Sequence, residues 1–102
     1  MFGSVEKISA DNVEKRLRTD QSLNVIDVRT TEEIKGGKIP GVLHIPLYEL
    51  PERVNELNKS KEYVCVCRSG SRSAKAAKYL KKNGFKAMNM NGGMMNWKGK
   101  LE

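Results

Sequence analysis

The sequence predicts a parallel α/β domain, with one sheet covered by helices on both faces. Three observations carry that prediction. Short β-rich runs alternate with stretches of helical periodicity along the whole chain. The connections between them are short, and no linker, internal repeat or low-complexity stretch divides them. The length, 102 residues, suits one hydrophobic core with little left for a second. One domain over 1–102 is therefore expected, its core spanning about 5–97.

The elements follow in order. Val5-Glu6-Lys7-Ile8 reads as a short strand. Ser9 can cap a helix running through about Arg18, with Ala10, Val13 and Leu17 on one face. Leu23 to Val28 reads as a buried strand with Asp27 near its end. Thr30 and Glu33 have capping-box spacing and open a short turn of helix, which Gly36-Gly37 stops. Val42 to Ile45 is a further strand, closed by Pro46, and Pro51 suits the first turn of a helix carrying Val54 and Leu57. Glu62 to Cys67, rich in Val and bounded by lysine and a glycine-containing loop, is the clearest strand. Ser73 to Asn83 reads as a helix burying Ala74, Ala77 and Leu80, with Gly84 past its end. Phe85 to Met90 is the last strand, and Asn91-Gly92-Gly93 turns the chain into a segment ending at Trp97. Met88, Met90, Met94 and Met95 are expected to pack the core. The terminal Leu101-Glu102 reads as a cloning scar ahead of a purification tag.

Composition excludes several functions. Apolar residues make up 38% and charged residues 30% of the chain, an ordinary soluble mixture. The longest apolar stretches, such as Tyr63 to Cys67, run four or five residues, far short of the ~20 a membrane helix needs. The first residues show no basic start and apolar run of a secretory signal, so a cytoplasmic location and no membrane partner are expected. Nineteen Lys and Arg against twelve Asp and Glu give a net charge of +7. The lysines scatter in ones and twos, without an aromatic-interleaved basic stripe, so the excess reads as solvated faces with attraction for a small anion rather than a nucleic-acid surface. Two cysteines and one histidine fall short of the ligand set of a structural zinc site, and no metal or cofactor is expected. Cys65 and Cys67 stand one residue apart on one strand, where a disulfide closes only with strain. His44, in an apolar run, reads as a histidine on a strand edge.

The segment that carries chemistry is Cys67-Arg68-Ser69-Gly70-Ser71-Arg72-Ser73, a cysteine at a strand end, a loop of small residues and the start of a helix. Ligands in parallel sheets bind at the carboxyl ends of strands, where Cys67 lies. Small side chains let successive backbone N–H groups turn inward as an anion-binding nest, and the helix N-terminus adds positive potential. Arg68 and Arg72 add full charges. Converging donors favour a thiolate over a thiol, so Cys67 is the candidate nucleophile, with a depressed pKa. Cys65, between two valines, is expected to pack the core.

Four ordered motifs resemble the single-domain rhodanese-like sulfurtransferases. They are Asp27-Val28-Arg29 followed by Glu33; Gly37-Lys38-Ile39-Pro40-Gly41 followed by Ile45-Pro46; the loop from Cys67 to Ser73; and Gly84-Phe85 followed by Asn91-Gly92-Gly93 and Trp97. The resemblance spans roughly Val5 to Trp97. It implies a three-layer α/β/α fold around a mainly parallel five-stranded sheet, in a protein expected to be a monomer. It also implies two-step sulfur transfer from an anionic donor, thiosulfate or a persulfide, through a Cys67 persulfide to cyanide or a thiol. Arg68, Ser69, Gly70, Ser71, Arg72 and Ser73 are then the candidate substrate-binding residues. Asp27, Arg29 and Glu33 match the family's motif and are expected to act as structural supports near the site.

The sequence departs from the family at two positions: many relatives carry a histidine where Lys38 stands and an aromatic where Ile34 stands. A lysine there keeps a positive charge without a proton switch near neutral pH. Two alternatives stay open on the same fold: a phosphatase or arsenate reductase, and a non-catalytic binding module. Retention of Cys67 argues against the module. Cys67 to Arg72 counts as Cys-x4-Arg, one residue shorter than the Cys-x5-Arg loop of the related phosphatases and arsenate reductases.

Overall fold

The computed structural model describes residues 5–19 and 22–102. In chain order the elements are β1 (Glu6–Ser9), α1 (Ala10–Thr19), β2 (Leu23–Asp27), α2 (Thr31–Ile34), β3 (Leu43–His44), α3 (Leu50–Arg53), β4 (Glu62–Val66), α4 (Ser71–Lys82) and β5 (Lys86–Asn91). Short 3-10 turns occupy Leu47–Glu49, Val54–Glu56 and Gly93–Asn96. The five strands form one sheet in the order β1-β5-β4-β2-β3. All four pairings are parallel, with Val25 opposite Val64 and Val64 opposite Met88 at the centre.

Alternation along β4 explains the layers. Tyr63, Cys65 and Cys67 point to one face, where they pack with Ile26, Leu50, Ala77 and Leu80 beneath α3 and α4. Val64 and Val66 point to the other, against Val13 of α1, Val25, Met88 and Met90. Side chains buried on both sides of a parallel sheet give the expected three layers. A fully buried aliphatic side chain such as Leu80 contributes about 1.5–3 kcal/mol relative to exposure.

Local signals set the ends. The Ser9 hydroxyl accepts the Asn12 N–H at 3.1 Å and caps α1, while Ser9 itself closes β1. The capping box of α2 is complete: the Thr30 hydroxyl accepts from the Glu33 N–H at 3.2 Å, and the Glu33 carboxylate accepts from the Thr30 N–H at 2.9 Å. Besides one-residue shifts at strand ends, such as β3 at Leu43–His44 rather than Val42 to Ile45, three details differ from the sequence expectation. Helix α3 stops at Arg53, because the chain tightens into an i to i+3 bond from the Leu57 N–H to the Val54 carbonyl; Val54 and Leu57 still pack on the core. Helix α4 begins two residues early, at Ser71, because Gly70 at φ +106° supplies the turn that enters it. Its buried face is consequently Ser73, Ala76, Ala77 and Leu80, with Ala74 only half-buried. The third difference is Met95, which is 69% exposed rather than in the core. The Gly93–Asn96 turn points Met94 inward and Met95 outward.

The C-terminal residues, expected to be idle, fold back onto the segment after α2. The Lys38 and Glu102 backbones exchange two hydrogen bonds, at 3.2 and 2.8 Å, and the Lys38 ammonium meets the Glu102 carboxylate at 2.7 Å. Glu102 thus neutralises the positive charge that Lys38 brings to this position. No helix among the described residues is long and apolar enough to cross a membrane.

Candidate active site

From β2 the chain proceeds to β3 on one side of the sheet, and from β4 it proceeds to β5 on the other. Connections leaving adjacent strands in opposite directions open a crevice at their carboxyl ends. Cys67 sits there, one residue past β4, and is 1% exposed.

The loop that follows wraps the sulfur. The Gly70 N–H donates to Cys67 Sγ at 3.0 Å and the Ser73 N–H at 3.3 Å; the Ser73 hydroxyl lies at 3.2 Å. Burial pushes the thiol's pKa up, but the Ser73 side chain and the N–H groups of Ser73, Gly70 and Ser69 outweigh it, so the net direction is down from 9.0. Cys65 shows what happens without such donors. Fully buried and beside the Cys67 charge, its thiol is pushed up to about 12.

The loop is held from three sides. From α2, the Glu33 carboxylate takes both terminal nitrogens of Arg72, at 2.6 and 2.8 Å. That guanidinium, with the Thr30 N–H, holds Glu33 down to about 2. From β5, the Asn89 amide donates to the Gly70 carbonyl at 3.1 Å and accepts from the Ser73 hydroxyl at 2.5 Å. From the last 3-10 turn, the Met94 and Met95 N–H groups donate to the Cys67 and Arg68 carbonyls at 2.8 and 3.0 Å. Gly93, at φ +63°, permits this approach, since a Cβ there would collide with those two carbonyls.

Asp27 and Arg29 form a buried pair at the end of β2. The Arg29 Nε donates to Oδ1 and Oδ2 at 3.0 and 3.1 Å, and Nη2 donates to Oδ2 at 2.9 Å and to the Gly37 carbonyl at 2.8 Å. The Arg29 carbonyl in turn accepts from His44 Nε2 at 2.7 Å, which occupies the lone histidine in the support of this corner. Ile45 and Leu47 donate to the carbonyls of Asp27 and Val28, so the corner anchors the chain on both sides.

The site residues named from the sequence therefore divide. The Gly70 and Ser73 groups and the Ser69 N–H converge on the Cys67 sulfur, while the Ser69 and Ser71 side chains lie exposed at the rim. Arg72 is paired with Glu33, whereas the exposed Arg68 side chain has no ion-pair partner among the described residues. Asn89 and Gly93 were missed as site residues. A polar residue between the core-facing Met88 and Met90 was the available signal for the first. Among the described residues, no three His, Cys, Asp or Glu side chains gather as a metal site.

Comparison with known proteins agrees with this architecture. Residues 9–100 match the family described as Rhodanese-like domain. The chain is 44% identical over 98 residues to the "Putative sulfurtransferase YtwF" of Bacillus subtilis, covering 96% of this chain and 95% of that one. It is 35% identical to a protein named Sulfurtransferase from Allochromatium vinosum, covering 91% of this chain and 88% of that one. A crystal structure of a rhodanese-like domain protein from Staphylococcus aureus matches with a TM-score of 0.90 at 39% identity, over 95% of this chain and 96% of that one. Fold and sequence match across nearly the whole chain, and the chain belongs to the rhodanese-like domain family.

Proposed function

We propose that the protein moves a sulfane sulfur from thiosulfate or a persulfide to cyanide or a thiol, with Cys67 as the carrier. The observation that supports this reading is the cradle of N–H groups around a single buried sulfur, which favours its anionic form. The Cys67 thiolate attacks the outer sulfur of thiosulfate; the new Sγ–S bond forms as the bond to the sulfonate sulfur breaks, and sulfite leaves with the electron pair. The acceptor, as cyanide or a thiolate, then attacks the terminal sulfur of the persulfide and returns Cys67 as a thiolate.

Each candidate group has a part. Arg68, exposed and unpaired among the described residues, attracts the donor dianion. Arg72 spends one side of its guanidinium on Glu33, which fixes the plane its remaining donors present to the oxyanion end. The loop amides stabilise the thiolate when sulfur leaves. Asp27, Arg29 and Glu33 act as supports, and a cytoplasmic thiol pool is the fitting source of acceptors.

The six-residue Cys-x4-Arg loop favours sulfur transfer over phosphatase chemistry. Gly70 and Ser73 already reach Sγ at 3.0 and 3.3 Å, and a tight curl of this kind suits one added sulfur better than a phosphate's three equatorial oxygens. The test is a paired assay of the purified protein. Cys67-dependent conversion of thiosulfate and cyanide to thiocyanate and sulfite, with no comparable hydrolysis of aryl phosphates, is expected. Aryl-phosphate turnover with none toward sulfur donors would overturn the assignment.

A further inference from the structure

We propose that Asn89 is a positioning residue: it dictates which way the Ser73 hydroxyl points and so limits how far the Cys67 sulfur is stabilised as an anion. The inference rests on the reading of Cys67 as the nucleophile and follows from counting hydrogens in a closed, buried network. Ser73 Oγ lies 3.2 Å from Cys67 Sγ and 2.5 Å from Asn89 Oδ1, and it owns one hydrogen. The Asn89 amide has no freedom to turn over. Its Nδ2 donates to the Gly70 carbonyl at 3.1 Å, an acceptor-only group, and a flip would set two oxygens against each other. The edge facing Ser73 is therefore an oxygen that can only accept.

Two acceptors consequently compete for one proton once Cys67 ionises. With Cys67 as a thiol the network is complete. The S–H donates to Ser73, Ser73 donates to Asn89, and Asn89 donates to Gly70. With Cys67 as a thiolate, either the Ser73 lone pairs face an anion or its proton turns to sulfur. The second choice leaves Asn89 Oδ1, in a side chain only 5% exposed, without that donor. Asn89 thus opposes the loop amides. The consequence suits a nucleophile, because a sulfur held too firmly as an anion attacks more slowly. In the persulfide the inner sulfur is neutral, and the Ser73 proton returns to Asn89.

The charged and titratable groups around the sulfur are the same in Asn89 variants and the wild type. Arg72 of α4 is paired with Glu33 of α2, the exposed Arg68 follows Cys67 in the loop, the Asp27–Arg29 pair closes the end of β2, Cys65 lies behind on β4, and β5 contributes only the neutral Asn89. The test is the pH dependence of Cys67 alkylation by iodoacetamide in the intact protein, for Asn89→Ala and Asn89→Val. Valine is included because it suits a buried strand position. Gly70 O keeps its Ala74 N–H donor in either variant. The alkylation midpoint is expected to fall by about one pH unit, the scale of one hydrogen bond to a charged group. The shift should vanish when Ser73→Ala is added. A residue that merely props the loop would move the midpoint upward or not at all, and either outcome overturns the proposal. So does a downward shift that survives Ser73→Ala. Alkylation needs no sulfur donor, so a protein that titrates as expected yet transfers no sulfur would refute the proposed function and leave this inference standing.

Discussion

Cys65 and Cys67 share a strand face and a hydrophobic cluster, yet their thiols are driven in opposite directions. Burial acts on both; only Cys67 has N–H groups aimed at it. Cys67→Ser should therefore abolish sulfur transfer, and Cys65→Ser should leave most of it, with circular dichroism confirming that both variants fold. Equal loss in both would place Cys65 in turnover. The two arginines should also part company. Arg68→Ala should raise KM for thiosulfate and leave stability unchanged, because its guanidinium is exposed and unpaired among the described residues. Arg72→Ala should raise KM and also destabilise the fold, by about 1 kcal/mol or less for a partly exposed pair, because it releases Glu33. Denaturant titration of the two variants checks the difference. Cys67 and its arginines were legible because the loop is contiguous in sequence. Asn89 was not, because what gives it a role is the parallel register that brings β5 beside β4, with Cys65 opposite Asn89.

Helix α2 is four residues long, too short to be stable by itself, yet it carries the carboxylate that fixes Arg72. The Thr30–Glu33 spacing revealed the capping box in the sequence, but the second use of Glu33 depended on tertiary contact. Its depressed pKa has a consequence for stability. An acid held at about 2 when folded, against 4.5 when free, contributes stability that is present above pH 4.5 and lost as pH falls toward 2. Wild type should accordingly exceed Glu33→Gln in urea midpoint at about pH 7, and the gap should narrow by about pH 3. A gap independent of pH would contradict the pairing. The Gly93–Asn96 turn is the second small element that governs the site. Gly93→Ala should cost at least ~1 kcal/mol, since alanine there meets both a positive φ of +63° and two backbone carbonyls. It should also depress turnover more than substitution at exposed Met95. Urea melts and thiosulfate kinetics of both variants test this. The sequence showed a glycine turn here, but not that its amides grip the cysteine loop, because that grip links Met94 to Cys67 and Met95 to Arg68, residues far apart in the chain.

At the scale of the molecule, alternation and loop length sufficed to read a parallel sheet with two covered faces, while strand order came from the structure. Nothing in β1 as a string says that it adds beside β5; that follows only when Glu6–Ser9 is seen alongside Met88–Asn91. The excess charge also finds a place. Helix α4 has Lys75, Lys78 and Lys82 exposed and carries no acid, and its N-terminus opens onto Cys67. Its field should steer anionic donors, so kcat/KM for thiosulfate should fall as salt rises, and less steeply after Lys75→Glu and Lys78→Glu together. A flat salt dependence would rule out steering. Fold, loop and charge all serve one claim, that a sulfur atom rides on Cys67. Intact-protein and peptide mass spectrometry after exposure to thiosulfate tests it most directly. A mass increase of one sulfur on Cys67 is expected, removed by cyanide and absent from Cys67→Ser; an unmodified Cys67, or the added sulfur on Cys65 instead, would refute sulfur carriage by Cys67.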